Sequence, residues 1–432
     1  MSRQASRGLT TALLLAVALV VGLGVHQLIA RPASLGGVGP DVTVIRLDST
    51  RNYGAENGIR GYAVGTTSCN RGNAPLWWCD DPRSYCADEQ HPVIAQNLYR
   101  LKDGRFEQIG MSWLKHGFES TNTPSAACGN CTDPPHGLDQ LGIGCTDTYG
   151  PSLNGSRPMG KRSEVDARTG AFDFPITPTG SSTSFDQRLK VLESDVDPSL
   201  NTGALYWVEG HYIAEDDAAA GNGLNNASYR RVTVGSTSRN LNVTGSTFEG
   251  DPAIYAWKAN DAEVRLVPVD VEVSGVTERF HVARQTTAVT GGVHYEYAVH
   301  NLNSDRSARR FAVTFPAAAT ISNVGFSGVV HHSGEPYATA AWTPDLSTPN
   351  QVSWSTDSFA TDANANALRW GTMFSFWFDS TLPPTAGVEE TLELFKPGSP
   401  TELTFRVFEP VFSNGFESGS TATWDDVCPP NC

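Results

Sequence analysis

Along most of the chain, apolar and polar residues alternate with a period of two. The runs are short and are separated by clusters of Gly, Asn, Asp, Ser and Pro, the pattern of strands joined by turns. In the first half such runs occur at VTVIRL (from Val42), IRGYAVG (59–65), VIAQNLYRL (93–101), RFEQIGMSWL (105–114), ALYWVEGHYI (204–213) and SYRRVTV (228–234). IYAWKA (254–259) is read as a strand closing this unit. The KDG step between Leu101 and Arg105 predicts a hairpin in which Gly104 takes positive φ, with His116 just past the second strand.

The second half is more regular. EVRLVPVDVEV, RFHVARQTTAV, VHYEYAVHNL, RRFAVTFP, ISNVGFSGVV, QVSWST, MFSFWFDS, ETLELF and LTFRVF follow one another at the spacing of a sandwich. The fold class is therefore all-β. A Cys- and loop-rich N-terminal β domain is expected over 31–260, followed by an Ig-like or fibronectin-like β-sandwich over 261–410. The boundary is placed near Asn260-Asp261, and no repeat period relates the halves.

The two ends have a different character. Arg3 and Arg7 precede LTTALLLAVALVVGLGVHQLIA, a positive n-region followed by an apolar run. Residues 1–30 are read as a secretory signal peptide. The alternative is an uncleaved membrane anchor, because the run from Leu9 to Val25 is long for a signal and Leu28-Ile29-Ala30 is a poor cleavage site. Membrane contact is expected only through that anchor. Residues 411–432, with Phe412, Phe416 and Trp424 in a polar stretch too short for a core, form a tail read as a sorting segment.

Composition narrows the function classes. A chain of 432 residues with 39% hydrophobic and 18% charged residues can bury a substantial core. Its net charge of −15, with no basic cluster, repels a phosphate backbone and excludes nucleic acid as a partner.

Export makes the eight cysteines legible. Cys69, Cys79, Cys86, Cys128, Cys131, Cys145, Cys428 and Cys432 are an even set in an oxidising compartment, and disulfides are the expectation. Six fall between Cys69 and Cys145, in loops dense in Gly, Pro, Asn and Asp that need staples. Cys128, Cys131, His136 and Cys145 also stand in a zinc-knuckle order, with a last gap too long for the usual knuckle.

Candidate chemistry concentrates in VEGHYIAEDDAAAGNGLNNASYR. Glu209, His211, Asp216, Asp217, Asn226 and Arg230 are the candidate ligand-binding residues there, with Glu209 and His211 on one face of a strand. The bland alternative is a solvated connection. His91, His116 and His211 form a candidate metal set for Zn or Cu, because the two ends of an antiparallel hairpin can lie close together. His331-His332 would share an ion only at a bulge. Trp77-Trp78 beside a cysteine, and Trp342, Trp354, Trp370 and Trp377, are candidate sugar-stacking rings or core residues. No serine-hydrolase elbow, zincin helix, phosphate loop or EF-hand is present.

The tail EPVFSNGFESGSTATWDD resembles the GFESG-plus-tryptophan segments that close many exported bacterial proteins of proteobacterial type. The body, with SWLKHGF, YEYAVHNLNSDRS and ANALRWGTMFSFWFD, is similar to secreted bacterial proteins. This resemblance implies a bacterial, exported protein and carries over no activity. The reading is an exported β-protein of the periplasm, cell surface or medium that needs no cofactor and binds a surface polysaccharide or a protein. The alternative is a metal-dependent extracellular hydrolase or oxidase using His91, His116 and His211.

Overall fold

The computed structural model describes residues 37–155, 159–176, 187–332, 334–385 and 387–407. The leader, the tail, Cys428 and Cys432 lie outside the described residues. Their regular structure is almost entirely antiparallel strand, as the alternation predicts.

The first half is one strongly curled sheet. Its long strands are Val42–Glu56, Ile59–Asn70, Val93–Lys102, Arg105–Met111, Leu205–Ile213, Ala227–Val234 and Leu241–Phe248. The curl brings the first strand against the last two: Leu47 N–H donates to Thr247 Oγ1 at 3.0 Å, and Arg230 Nη1 donates to the Leu47 carbonyl at 2.8 Å. Val44, Leu47, Tyr62, Val64, Ile94, Leu98, Val208 and Tyr212 fill the concave side. Gly210 is required in this wall, since a Cβ there would lie 2.9 Å from Thr66 and 3.0 Å from Leu47.

Asp103 (φ 52°) and Gly104 (φ 86°) make the expected hairpin turn. The run 105–114, however, is not one strand. It stops at Met111, and Leu114–His116 forms a separate short strand in which His116 pairs with Val93. The break is fixed by Ser112 N–H donating to the Gln96 carbonyl while Trp113 N–H turns to Gln187. The expected strand at 254–259 is a helix, α2 (Ile254–Asn260). Ala253, Ile254, Ala256 and Trp257 are all buried, at a spacing that suits one helical face. A short apolar run of this kind does not by itself distinguish helix from strand.

Past α2 the chain enters a β-sandwich. One sheet contains Arg265–Val273, Val276–Val289, Gly292–Asn301, Thr372–Ser380 and Ile321–Gly328; the other contains Thr343–Asp345, Gln351–Ser355, Ala308–Thr314, Glu389–Leu394 and Glu402–Phe405. Phe280, Val282, Tyr297 and Phe376 of the first sheet pack on Phe311, Val352, Trp354 and Leu392 of the second. Alternate residues of the first sheet face the opposite way. Ala283, Ala298 and Met373 pack with Tyr99, Phe106, Trp207 and Trp257 of the first half. That sheet is thus covered on both faces, as the middle of three layers.

The seam between the halves is polar at its centre. Arg162, 3% exposed, donates from Nε to the Ser112 carbonyl (2.7 Å) and from Nη2 to the Gln96 carbonyl (3.1 Å) and Asn97 Oδ1 (2.8 Å). Its Nη1 donates to the Gly371 carbonyl at 3.0 Å. The same carbonyl accepts from Asn97 at 3.2 Å and Gln108 at 3.3 Å. Gly371 sits at φ +67°, and a Cβ would come within 2.8 Å of the Arg162 guanidinium, so no larger residue fits without moving the charge. Glu335 accepts the Arg162 backbone N–H at 2.7 Å, and Arg105 forks onto Glu296 at 2.7 and 2.9 Å.

Replacing Arg162 by Ala takes a donor from four acceptors, of which the Gln96 and Gly371 carbonyls keep other partners, and opens a cavity at the seam. The expected loss is about 2–5 kcal/mol in denaturant unfolding, from buried acceptors left without a donor and the side-chain packing removed. A loss under ~1 kcal/mol would show that the seam does not depend on this side chain.

Candidate functional site

The chain leaves the Leu205–Ile213 strand directly into a single helical turn, α1 (Glu215–Ala219), where the sequence suggests a plain loop. Alanines favour the turn, and Glu215, Asp216 and Asp217 stand in its first turn, where acids are stabilised. At 100° per residue, Glu215, Asp216 and Ala219 fall on one side of α1 while Asp217 and Ala218 fall on the other. Each side lines a cleft.

The first cleft, of about 230 Å³, is bounded by Trp77, Gln90, His91, Glu215, Asp216 and Ala219. Trp77 ends the two-residue strand Leu76–Trp77 and Trp78 follows it: Trp78 is fully buried in the core of the curled sheet, and Trp77 is half-buried at the cleft. The Trp77 N–H donates to Asp216 Oδ2 at 2.8 Å, and the Asp217 N–H donates to Asp216 Oδ1 at 3.0 Å. Burial pushes the Asp216 carboxyl up to about 6, against the pull of those N–H donors.

Trp77 continues into a stack of rings. His136 lies 5.5 Å from it, Tyr85 lies 4.1 Å from His136, and all three are within 28° of parallel. Tyr85 is 42% exposed, and its hydroxyl donates to Asp139 Oδ2 at 2.6 Å. Disulfides hold these loops. Cys79–Cys86 closes the Tyr85 loop, Cys131–Cys145 closes the His136 loop, and Cys69–Cys128 ties the base. The six cysteines between Cys69 and Cys145 are therefore bridged among themselves, and the zinc-knuckle order of Cys128, Cys131 and Cys145 is consumed by bridges. Tyr85 and Gln90 were not singled out from the sequence. The one available signal was their place inside or beside a stapled loop.

His91 and His116 do come together, as the hairpin suggested. His91 Nδ1 lies 2.9 Å from the Cys79 carbonyl, so it carries the proton; His91 Nε2 then accepts from His116 Nδ1 at 2.9 Å. His116 Nε2 is left as a buried lone pair without a partner among the described residues, boxed by Phe172 and Phe174. Burial lowers both rings, His116 to about 3, which keeps them neutral. His211 is not part of this pair: it faces the seam beside Trp370, and neither ring nitrogen has a partner among the described residues. Among the described residues no three His, Cys, Asp or Glu side chains are grouped to hold a metal ion.

Glu209 shares the seam face with His211, as the strand period predicts. Its carboxylate accepts from Asn97 (2.7 Å), Tyr99 (3.1 Å) and the Ala253 N–H (2.6 Å). Arg230 stitches the curled sheet through Leu47. Asp217 and Asn226 lie across α1 from Trp77, in a second, smaller cleft. His331 Nε2 is buried without a partner among the described residues, and His332 packs on Trp113, so the adjacent imidazoles meet different neighbours.

Asp216 supplies a pH signature. Its folded pKa lies above the ordinary carboxylate value, so between roughly pH 4 and 6 the folded state binds more protons than the unfolded chain. Stability should fall as pH rises through that window. Asp216→Asn should remove this slope relative to the wild type in parallel denaturant titrations from pH 4 to 7. Identical slopes would place the Asp216 carboxyl in a solvated setting.

No protein-family model matches the chain, and no characterised protein matches it in sequence. Among solved structures, one similar chain comes from "Complete structure of manganese lipoxygenase of Gaeumannomyces graminis and partial structure of zonadhesin of Komagataella pastoris". It is 10% identical, covers 85% of this chain and 91% of its own, and has a TM-score of 0.19, a likeness that carries no argument.

Proposed function

We propose that the protein is an exported carbohydrate-binding protein of the bacterial cell envelope or medium, and that the cleft beside α1 holds a sugar ring on Trp77. The observation that carries this reading is the pairing of a half-buried indole with a rim of Gln90, Glu215 and Asp216 in one cleft. Sugar rings present a C–H face that stacks on an aromatic plane and hydroxyls that need acceptors and donors at the edge. The cleft offers both. Tyr85, 42% exposed and stacked on His136 beside Trp77, is the neighbouring ring that a polymer longer than one sugar would meet.

Two further features support it. The net charge of −15 disfavours a polyanion and leaves neutral polysaccharides as the better class. The three disulfides fit an oxidising compartment and fix loops that otherwise have little core, which keeps the aromatic shelf rigid before a ligand arrives.

Native affinity electrophoresis through gels containing hydroxyethylcellulose or glycol chitin tests the reading. The wild-type protein should be retarded, and Trp77→Ala should weaken the retardation about tenfold, near the upper end for loss of an aromatic contact. Equal retardation of the variant would take the sugar site away from Trp77, and no retardation of the wild type by either polymer would overturn the carbohydrate reading.

A further inference from the structure

Three histidines meet in the seam. Alternate residues of a strand share a face, so His281 and His300 stand on the same side of their sheet as Ala283 and Ala298, toward the first half. The two are register partners, with ring centroids 5.8 Å apart. His211 lies on the seam face of the Leu205–Ile213 strand, and Trp370 meets its ring edge-on at 6.0 Å. All three are at most 2% exposed, and five of their six ring nitrogens have no hydrogen-bond partner among the described residues.

Nothing around the cluster offers a proton a counter-charge. Near His211 stand Arg162, whose charge repels a proton there, and Glu209, two positions along the same strand face. The Glu209 carboxylate is already bonded to Asn97, Tyr99 and the Ala253 N–H. His281 meets the edge of Tyr255 from α2 at 5.4 Å and, on its own strand, the cation of Arg279, which pairs with Asp270 at 2.6 Å. His300 lies between His281 and Met373 in the sheet, and a charge on it repels one on either of the other two rings. Burial pushes His211 and His300 down to about 3 and His281 well below the usual range. The cluster is therefore closed only while it is neutral.

The sign of the linkage follows. Each folded pKa lies below the unfolded value of about 6.5, so the closed seam has its full stability above that pH and loses it as pH falls toward the folded values. Each wetted ring takes up a proton, and the opening constant rises up to about tenfold per histidine for each pH unit. Both halves keep cores of their own away from the seam, around Val44, Tyr62 and Val208 in the curled sheet and around Phe311, Val352 and Trp354 in the sandwich. We propose that the seam is an acid-opened joint, in which protonation of His211, His281 and His300 parts the curled sheet from the sandwich while each half stays folded. Opening bares the apolar face shared by Trp207, Trp257, Ala283, Ala298 and Met373 and draws Arg162 away from the Gly371 carbonyl. The inference is independent of the carbohydrate reading.

His91, His116 and His331 are also buried and must also be charged in acid, so the pH slope of overall stability does not single out the seam. Fluorine NMR of the full protein carrying 5-fluorotryptophan does, with each resonance assigned through its own Phe variant. Between pH 7 and 4 the Trp207 and Trp257 signals should gain the solvent-isotope shift of exposed indoles, while Trp354 keeps that of a buried one. His300→Gln takes up no proton and should lower the midpoint of the change by about 0.5–1 pH unit, since two rings must then supply what three did. Should glutamine prevent folding at pH 7, His300→Met makes the same comparison with an apolar side chain. Trp354 changing together with Trp207 and Trp257 would show global unfolding in place of a joint. A midpoint indifferent to the His300 variants would remove these histidines from the transition, and either result, or seam signals unchanged down to pH 4, overturns the proposal.

Discussion

A single buried guanidinium organises this protein. Arg162 stands at the seam with its charge taken out of water, a cost of several kcal/mol that only close hydrogen bonding offsets. It reaches two carbonyls and an amide oxygen in the curled sheet and the Gly371 carbonyl in the sandwich. Burial lowers its pKa to about 10, which leaves it charged at neutral pH. Hydrophobic packing of Tyr99, Phe106, Trp207 and Trp257 on Ala283, Ala298 and Met373 is non-directional. The Arg162 network supplies direction, because its donors have one arrangement in which every acceptor is met.

That register matters for the clefts beside α1. The Leu205–Ile213 strand carries Glu209 and His211 into the seam and delivers the chain to α1 at its end. Fixing the seam fixes α1, and α1 divides the surface into a cleft with an indole and a smaller one lined by Asp217 and Asn226. The stapled loops act from the other side. They hold Trp77, His136 and Tyr85 as a parallel stack where little apolar core is available.

Much of this was legible in the residues. The period-two runs located most long strands, and KDG located its hairpin. The crowded cysteines announced bridges without revealing their pairing. The run IYAWKA misled because six residues with five apolar positions fit a strand as well as a helical turn. The site was half-visible. Asp216, Asp217, Asn226, His91 and Trp77 all drew notice from the sequence, yet grouping them needed the curl of the sheet, which no spacing encodes. Glu209 and His211 shared a face as predicted, but their burial depends on a second layer from residues far along the chain. Arg162 and Gly371 carried no local sign at all, since a buried arginine reads like any surface one until its acceptors are placed.

The most direct test of the account is the indole region of a proton–nitrogen correlation spectrum during titration with chitotetraose. The resonance assigned to Trp77 through its Ala variant should move progressively to saturation, while those of buried Trp207, Trp257 and Trp354 stay in place. Saturable binding that leaves Trp77 unmoved, or that shifts the buried indoles instead, would contradict the assignment of the α1 cleft as the sugar site.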